Sequence, residues 1–401
     1  MSERGDSEPG TTADTAEDTT GTAAGTTSEN TAEATSTPVA NTAPATQDPI
    51  AEDPGHDRPQ GVSRRTWTLV FSLVLVVALG LIGGFVQVPY VALGPGPTYD
   101  TLSVVSGKQV VAVDGKQTYP THGQLRMVTV SLTNGVTLFA ALGMWISGRY
   151  ALAPREDYYQ PGESEQQVEQ QNVQEFQNSQ SDAEVSALRY LHYPISAIAQ
   201  AIVSNSPADK RIAPGDKLIT VNGKKVTSAE EVQNALVGTT PGQTVDVVVQ
   251  SGSSTPRDLK IKLGSYPDRK QGFLGITPAS HADVPFTIKI SLSDIGGPSA
   301  GLMFALAVVD KLTPGDLNGG LTVAGTGEID DQGNVGPIGG IPFKLVAARQ
   351  AGATVFLTPA DNCSEASTHI PAGLRLVKVT SLNSAVTELA DLKAGRPVPG
   401  C

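Results

Sequence analysis

Hydrophobic and polar positions divide the chain into three regimes. Up to Gln60 the sequence is a Thr/Ala/Glu/Asp mixture whose only large apolar residues are Met1, Val39 and Ile50. Such a stretch buries too little to offset its ordering entropy, so residues 1–62 are expected to form a disordered acidic tail. At Arg64 and Arg65 the pattern changes abruptly. Trp67 to Val86 is a run of 20 residues without a charge, long enough to cross a hydrocarbon core as a helix. Beyond it, apolar positions take up the periods of a folded body.

In that body, the stretch VPYVALGPGPTYDTL is rich in Pro and Gly and reads as a constrained stalk. Gln124–Leu132 alternates β-branched and polar residues and predicts a strand; Gly135–Ser147 predicts an apolar helix. Residues 160–187 are Gln/Glu-rich, with Val168, Val173 and Phe176 at loose helical spacing, which predicts a surface helix. From 193 to 265, short β-rich runs alternate with turn signals, giving strands near Ile195–Val203, Lys217–Val221, Val245–Gln250 and Leu259–Leu263. Ser228, with Glu231 three residues on, has the capping-box pattern that opens a helix through Leu236. Val284–Leu292 reads as a further strand, followed by the helical run LMFALAVVDKL. Residues 88–192 either fold alone or complete the C-terminal domain, and the second arrangement makes the central module an insertion.

Charge sharpens the division. Lys+Arg number 28 and Asp+Glu 40, but residues 1–65 hold 12 acids against 4 bases, so the folded part is close to neutral. No basic field exists for nucleic acid, and aromatic residues are only 5% of the chain. Five histidines, at 56, 122, 192, 281 and 369, are scattered without ligand spacing, so no metal or other cofactor is expected. Arg58, Arg64 and Arg65 precede the apolar run and the first base after it is Lys108. The positive-inside rule then puts the tail in the cytoplasm and everything after about Gln87 outside. A cleaved secretory signal is the competing reading, but its apolar core is shorter and starts near the beginning of a chain. Gly80 and Gly84 form a GxxxG spacing that would let two spans approach. Only two cysteines occur, Cys363 and Cys401. In an oxidising compartment they are a disulfide candidate, with two unrelated thiols as the alternative.

The piece SNSPADKRIAPGDKLITVNGKKVTSAEEVQNAL resembles a PDZ domain of the bacterial type, through its Pro214-Gly215-Asp216 turn and its Asn222-Gly223 hairpin. PDZ domains take up an extended chain end as an added strand. The resemblance places the binding stretch just before the first strand, at Tyr193, Pro194 and Ile195, where the family's Gly-rich loop is missing.

Chemistry concentrates further on. In Gly296-Gly297-Pro298-Ser299-Ala300-Gly301, Ser299 stands at a predicted helix N-terminus, where free N–H groups and the helix dipole stabilise an alkoxide or acyl oxyanion. A serine there is equally an ordinary N-cap. Forty-five residues on, Lys344 lies among Ile341, Phe343, Leu345 and Val346 near another helix start. An apolar setting and a helix N-terminus both disfavour the ammonium and lower its pKa, and a neutral amine can deprotonate a serine. GGPSAG, Thr326-Gly327-Glu328-Ile329, VGPIGGIPFKLVAA, the Ala351–Ala353 turn and a VFLTP strand together resemble the proteolytic domain of Lon-type serine peptidases over about 120 residues. The resemblance implies Ser299 as nucleophile, Lys344 as general base, Thr326 as the residue that orients it, and the backbone at Gly297, Pro298 and Ala300 as oxyanion support. No GxxxxGK[ST] occurs, so ATP-driven unfolding is not expected. Gly297 to Gly301 also satisfies GxSxG, but His369 is the only histidine downstream and too few residues remain for an α/β-hydrolase.

The expected fold class is multidomain: a single N-terminal transmembrane helix (67–86), an N-terminal β/α segment (88–192), a PDZ-like β-rich domain (193–265) and an α+β Lon-type proteolytic domain (270–395). The combination resembles membrane-anchored, ATP-independent Lon-like peptidases acting on unfolded chains or peptides. Ring assembly of Lon domains implies a homo-oligomer. The alternative is a catalytically inactive PDZ/Lon-like peptide-binding scaffold at the membrane.

Overall fold

The computed structural model describes residues 63–267, 269–292 and 295–401; the expected acidic tail lies outside them. Helix α1 (Arg64–Phe85) takes in nearly the whole charge-free run, and it is long and apolar enough to cross a membrane, with a mean hydropathy of 2.5.

After α1 come β1 (Tyr90–Asp100), the small hairpin β2 (Val104–Val105) and β3 (Lys108–Gln109), then β4 (Val111–Asp114) and β5 (Gln124–Thr133). Next are α2 (Leu138–Ile146), β6 (Ala151–Pro154) and α3 (Glu165–Tyr190). The stretch read as a stalk is therefore a strand: β1 lies between β5 and β6, with a register shift between Pro95 and Thr98 where its prolines interrupt the ladder. The Gln/Glu-rich helix starts later than expected, at Glu165, and runs on to Tyr190, with one face buried. Phe176, Ser179, Ala183 and Ala187 repeat at helical spacing and are buried.

A second sheet follows: β7 (Ile195–Ile202), β8 (Lys217–Val221), β9 (Lys224–Lys225), α4 (Ala229–Leu236), β10 (Thr244–Gln250) and β11 (Arg257–Lys262). The pair β12 (Gly264–Tyr266) and β13 (Arg269–Phe273) leads into β14 (Ile276–Ala282). The strand order is β11-β10-β8-β7-β14, and this unit has its own core around Leu218, Val247 and Ile261. Its sheet continues past 265: β14 pairs with β7 from Ile276↔Ile202 to Ala282↔Ile195, so a strand of the stretch expected to begin the next domain joins it. The capping box at α4 is half formed. The Ser228 hydroxyl accepts from Glu231 N–H at 3.1 Å, but the Glu231 carboxylate accepts from Thr227 N–H instead.

The chain then returns through β15 (Thr287–Ile290), α5 (Gly301–Leu312), β16 (Thr322–Gly325), and the hairpin β17 (Glu328–Ile329) and β18 (Val335–Gly336). It ends with α6 (Ile341–Gln350), β19 (Val355–Pro359), α7 (Cys363–Ala366), β20 (Arg375–Val379) and α8 (Leu382–Lys393). One six-stranded sheet, β20-β19-β16-β5-β1-β6, joins this segment to residues 90–154, and β15 pairs with β4. Alternation along the strands sorts two cores. Leu125, Met127, Val323 and Leu357 face α5, α3 and α8, whereas Val128, Ala324 and Phe356 face α6. Every residue of α5 is buried, as an all-round apolar helix requires. Cys363 and Cys401 form a disulfide, Cα–Cα 4.9 Å, that ties the chain end to α7.

Candidate active site

Helices α5 and α6 cover opposite faces of the sheet, yet their first turns meet beyond the carboxyl end of β16, the usual location of sites in open sheets with parallel strands. Three side chains converge there. Lys344 Nζ lies 2.8 Å from Ser299 Oγ and 2.9 Å from Thr326 Oγ1. The Thr326 hydroxyl in turn donates to the Ser299 carbonyl at 2.9 Å. Thr326 is fully buried and Lys344 nearly so.

Local sequence explains the placement. The N-cap of α5 is Ala300, so Ser299 stands one residue before the helix and its hydroxyl is not spent on capping. Gly297 has φ +83°, a conformation that favours glycine, and it turns the chain so that Ser299 faces the cleft. The loop is held by the helix that sequence reading left on the surface: Gly297 N–H donates to the Asn172 carbonyl at 2.9 Å, and the buried Ser179 hydroxyl donates to the Pro298 carbonyl at 2.8 Å. Ser179 sits in the same helical stripe as Phe176, the signal that could have found it. On the other side Gly340 caps α6 with φ +70°, and a Cβ there would approach Val130 Cγ2 to 2.7 Å. Glycine thus lets α6 lie against β5 and carries Lys344 inward.

Burial pushes the Lys344 ammonium down to about 8, while the Glu328 carboxylate opposes that shift. Glu328 itself is raised, by desolvation first and then by Glu175, with Lys344 pulling the other way. A cleft of about 350 Å³ opens on these groups, between Pro97, Met127, Thr129 and Val130 on one wall and Ile295–Ala300, Ile338 and Gly339 on the other.

Of the backbone positions named for an oxyanion, two are corrected. Pro298 has no N–H to give, and the N–H of Gly297 is committed to Asn172. Ala300, the N-cap of α5, remains of the three. His369 is exposed and does not line the cleft.

The PDZ sheet has a groove of its own, and Tyr193, Pro194 and Ile195 do not line it. Ile195 pairs with Ala282 of β14, and Tyr193 stacks edge-to-face on Phe286, centroids 5.5 Å apart. The groove lies between α4 and the edge strand β14, about 420 Å³ lined by Gln233, Leu236, Val237, Phe273, Ile276 and Pro278 among others. Gly272-Phe273-Leu274-Gly275 supplies the glycine-flanked loop there. This stretch runs from the end of β13 to the start of β14, the last strand of the sheet, whereas the expected loop lies ahead of β7, the first.

Residues 268–391 match the Lon protease (S16) C-terminal proteolytic domain, and residues 171–263 match the PDZ domain. Lon protease 1 of Sorangium cellulosum is 32% identical over 161 residues, 39% of this chain and 18% of that protein. Lon protease of Heliobacterium modesticaldum is 34% identical over 120 residues, 29% of this chain and 14% of its own length. Lon protease 1 of Bacillus subtilis is 33% identical over 128 residues, covering 31% and 16%. The chain thus spans less than a fifth of these relatives' length. The PDZ domain of the SdrC-like protein of Listeria monocytogenes aligns with a TM-score of 0.20 at 20% identity, over 21% of this chain and 86% of that one. This is a multidomain chain that carries a PDZ domain and a Lon-type C-terminal proteolytic domain.

Proposed function

We propose that this protein is a membrane-anchored serine endopeptidase working by a Ser299–Lys344 dyad, with no nucleotide requirement, on unfolded chains or peptides. The observation that carries the reading is the 2.8 Å approach of a buried, depressed-pKa lysine to Ser299 Oγ at the mouth of a cleft. Once Lys344 loses its proton, the Ser299 O–H donates to its nitrogen and the oxygen attacks the scissile carbonyl. Lys344 carries the proton to the leaving amine, then takes one from the water that hydrolyses the acyl-enzyme. The N–H groups of Ser299 and Ala300, at the positive end of α5, face the developing oxyanion. Thr326 holds the amine in line.

The chain has no GxxxxGK[ST], which favours action without ATP. Helix α1 and the arginines ahead of its charge-free run, Arg58, Arg64 and Arg65, support a cytoplasmic N-terminus with the PDZ and proteolytic domains outside, where the disulfide is stable. The α4/β14 groove is the proposed docking place for substrate or partner peptides.

The test is hydrolysis of labelled casein by the full chain in detergent micelles without nucleotide, comparing Ser299→Ala, Lys344→Ala and His369→Ala. Activity lost in the first two and kept in the third supports the dyad. Full activity in Lys344→Ala, or an inert wild type, rejects it.

A further inference from the structure

Helix α2 is apolar on the side it turns away from the protein. Leu138, Phe139, Leu142, Trp145 and Ile146 fall at i, i+1, i+4, i+7 and i+8, one side of a helix. All five are exposed, Trp145 at 64% and Ile146 at 70%. The opposite side, Ala141 and Met144, packs on Val88, Ala92, Val136 and Leu152. No charged residue occurs in α2. Left in water, such a face is the kind of contiguous apolar patch that soluble proteins avoid.

Its position says what covers it. The Phe139 ring lies against α1 so closely that a Cβ at Gly83 would come within 2.4 Å of it. Val88 N–H donates to the Val136 carbonyl at 2.9 Å, and Gln87 bridges to Thr137. These contacts hold α2 level with the last turn of α1. At 1.5 Å per residue the charge-free run of α1 spans about 30 Å, the thickness of a hydrocarbon core, so Gly83 lies near its outer boundary. Gly80 and Gly84, the GxxxG pair, have nothing near them; it is Gly83 that takes a neighbour, and the neighbour is α2.

We propose that α2 is a second membrane contact, lying in the interfacial layer of the bilayer that α1 crosses with its Leu138–Ile146 face in lipid. The proposal rests on reading α1 as a membrane span. Lipid fits better than a second copy of the chain for two reasons. The face meets α1 at Phe139, beside the exposed apolar side chains of that helix, and Trp145 followed by Arg149 and Tyr150 is the composition of an interface belt. Two attachments fix orientation where one helix would only tether. Strand β5 carries Thr129 and Val130 of the cleft and ends at Thr133, just before α2, so the cleft is held near the bilayer surface.

Trp145 is one of two tryptophans. With Trp67→Phe, the full chain reconstituted in phosphatidylcholine vesicles reports on Trp145 alone. The expected result is blue-shifted emission, quenched by phosphatidylcholine brominated at the 6,7 positions and shielded from iodide, with both effects lost in the added Leu142→Glu/Ile146→Glu variant. Iodide quenching without bromolipid quenching overturns the proposal, as does shielding from both, which would mean a protein contact. A Trp145→Phe chain, reporting on Trp67, together with carbonate extraction, tests α1 separately: failure there is failure of the anchor and not of α2.

Discussion

Lys344 Nζ and Thr326 Oγ1 are 2.9 Å apart in a buried setting, and Thr326 passes the interaction on to the Ser299 carbonyl. The threonine therefore ties base and nucleophile loop into one unit. Thr326→Val keeps the shape and removes the hydroxyl. Losing a hydrogen bond to a charged group costs about 1.5–3 kcal/mol, so kcat is expected to fall by roughly 10- to 100-fold with KM little changed. A kcat within a factor of two of wild type would remove Thr326 from the mechanism.

Activity should rise with pH as Lys344 deprotonates. With its pKa near 8, only about one molecule in ten holds a neutral amine at pH 7, and kcat/KM is expected to climb about tenfold toward pH 9. Glu328 is the carboxylate that opposes the depression. In Glu328→Gln the ammonium loses that partner, so the midpoint of the pH–rate profile should move to lower pH. A shift to higher pH would contradict the electrostatics.

Peptide capture should depend on the α4/β14 groove. Val237 lines it and is 65% exposed, so Val237→Glu is expected to leave the fold intact. Affinity for a peptide with an apolar C-terminal residue should weaken at least tenfold, about 1.4 kcal/mol, measured by fluorescence anisotropy. Hydrolysis of a short unanchored peptide should not change.

The Cys363–Cys401 bond closes a loop with a sequence separation of 38, which in the chain-entropy model is worth about 4 kcal/mol. Cys363→Ser/Cys401→Ser is expected to lower Tm by about 10 °C, read by circular dichroism, and dithiothreitol should do the same to wild type. An unchanged Tm in both would show that the last residues add nothing to the fold.

Much of this site was legible before any fold was known, because its signals are local. An uncharged run of 20 residues is long enough to span a hydrocarbon core. A lysine set among Ile341, Phe343 and Leu345 announces its desolvation, and Gly-Pro-Ser-Ala-Gly before an apolar helix announces a turn that exposes a serine. Readings that failed involve pairings between distant segments. Ile276–Ala282 carries no mark saying that it pairs with Ile195–Ile202 and forms an edge of the PDZ sheet. Helix α3 looked solvated because Gln and Glu dominate its composition, although the stripe through Phe176 and Ser179 holds the nucleophile loop.

Residue type and short-range periodicity are properties of the chain alone, so the candidate side chains and the apolar segments were legible without a fold. Tertiary structure decided three things. It brought Lys344 to Ser299 across the end of a sheet that separates their helices, it committed Gly297 N–H to the Asn172 carbonyl, and it turned the apolar side of α2 outward beside α1. Each depends on how strands far apart in the chain register, which no local pattern encodes.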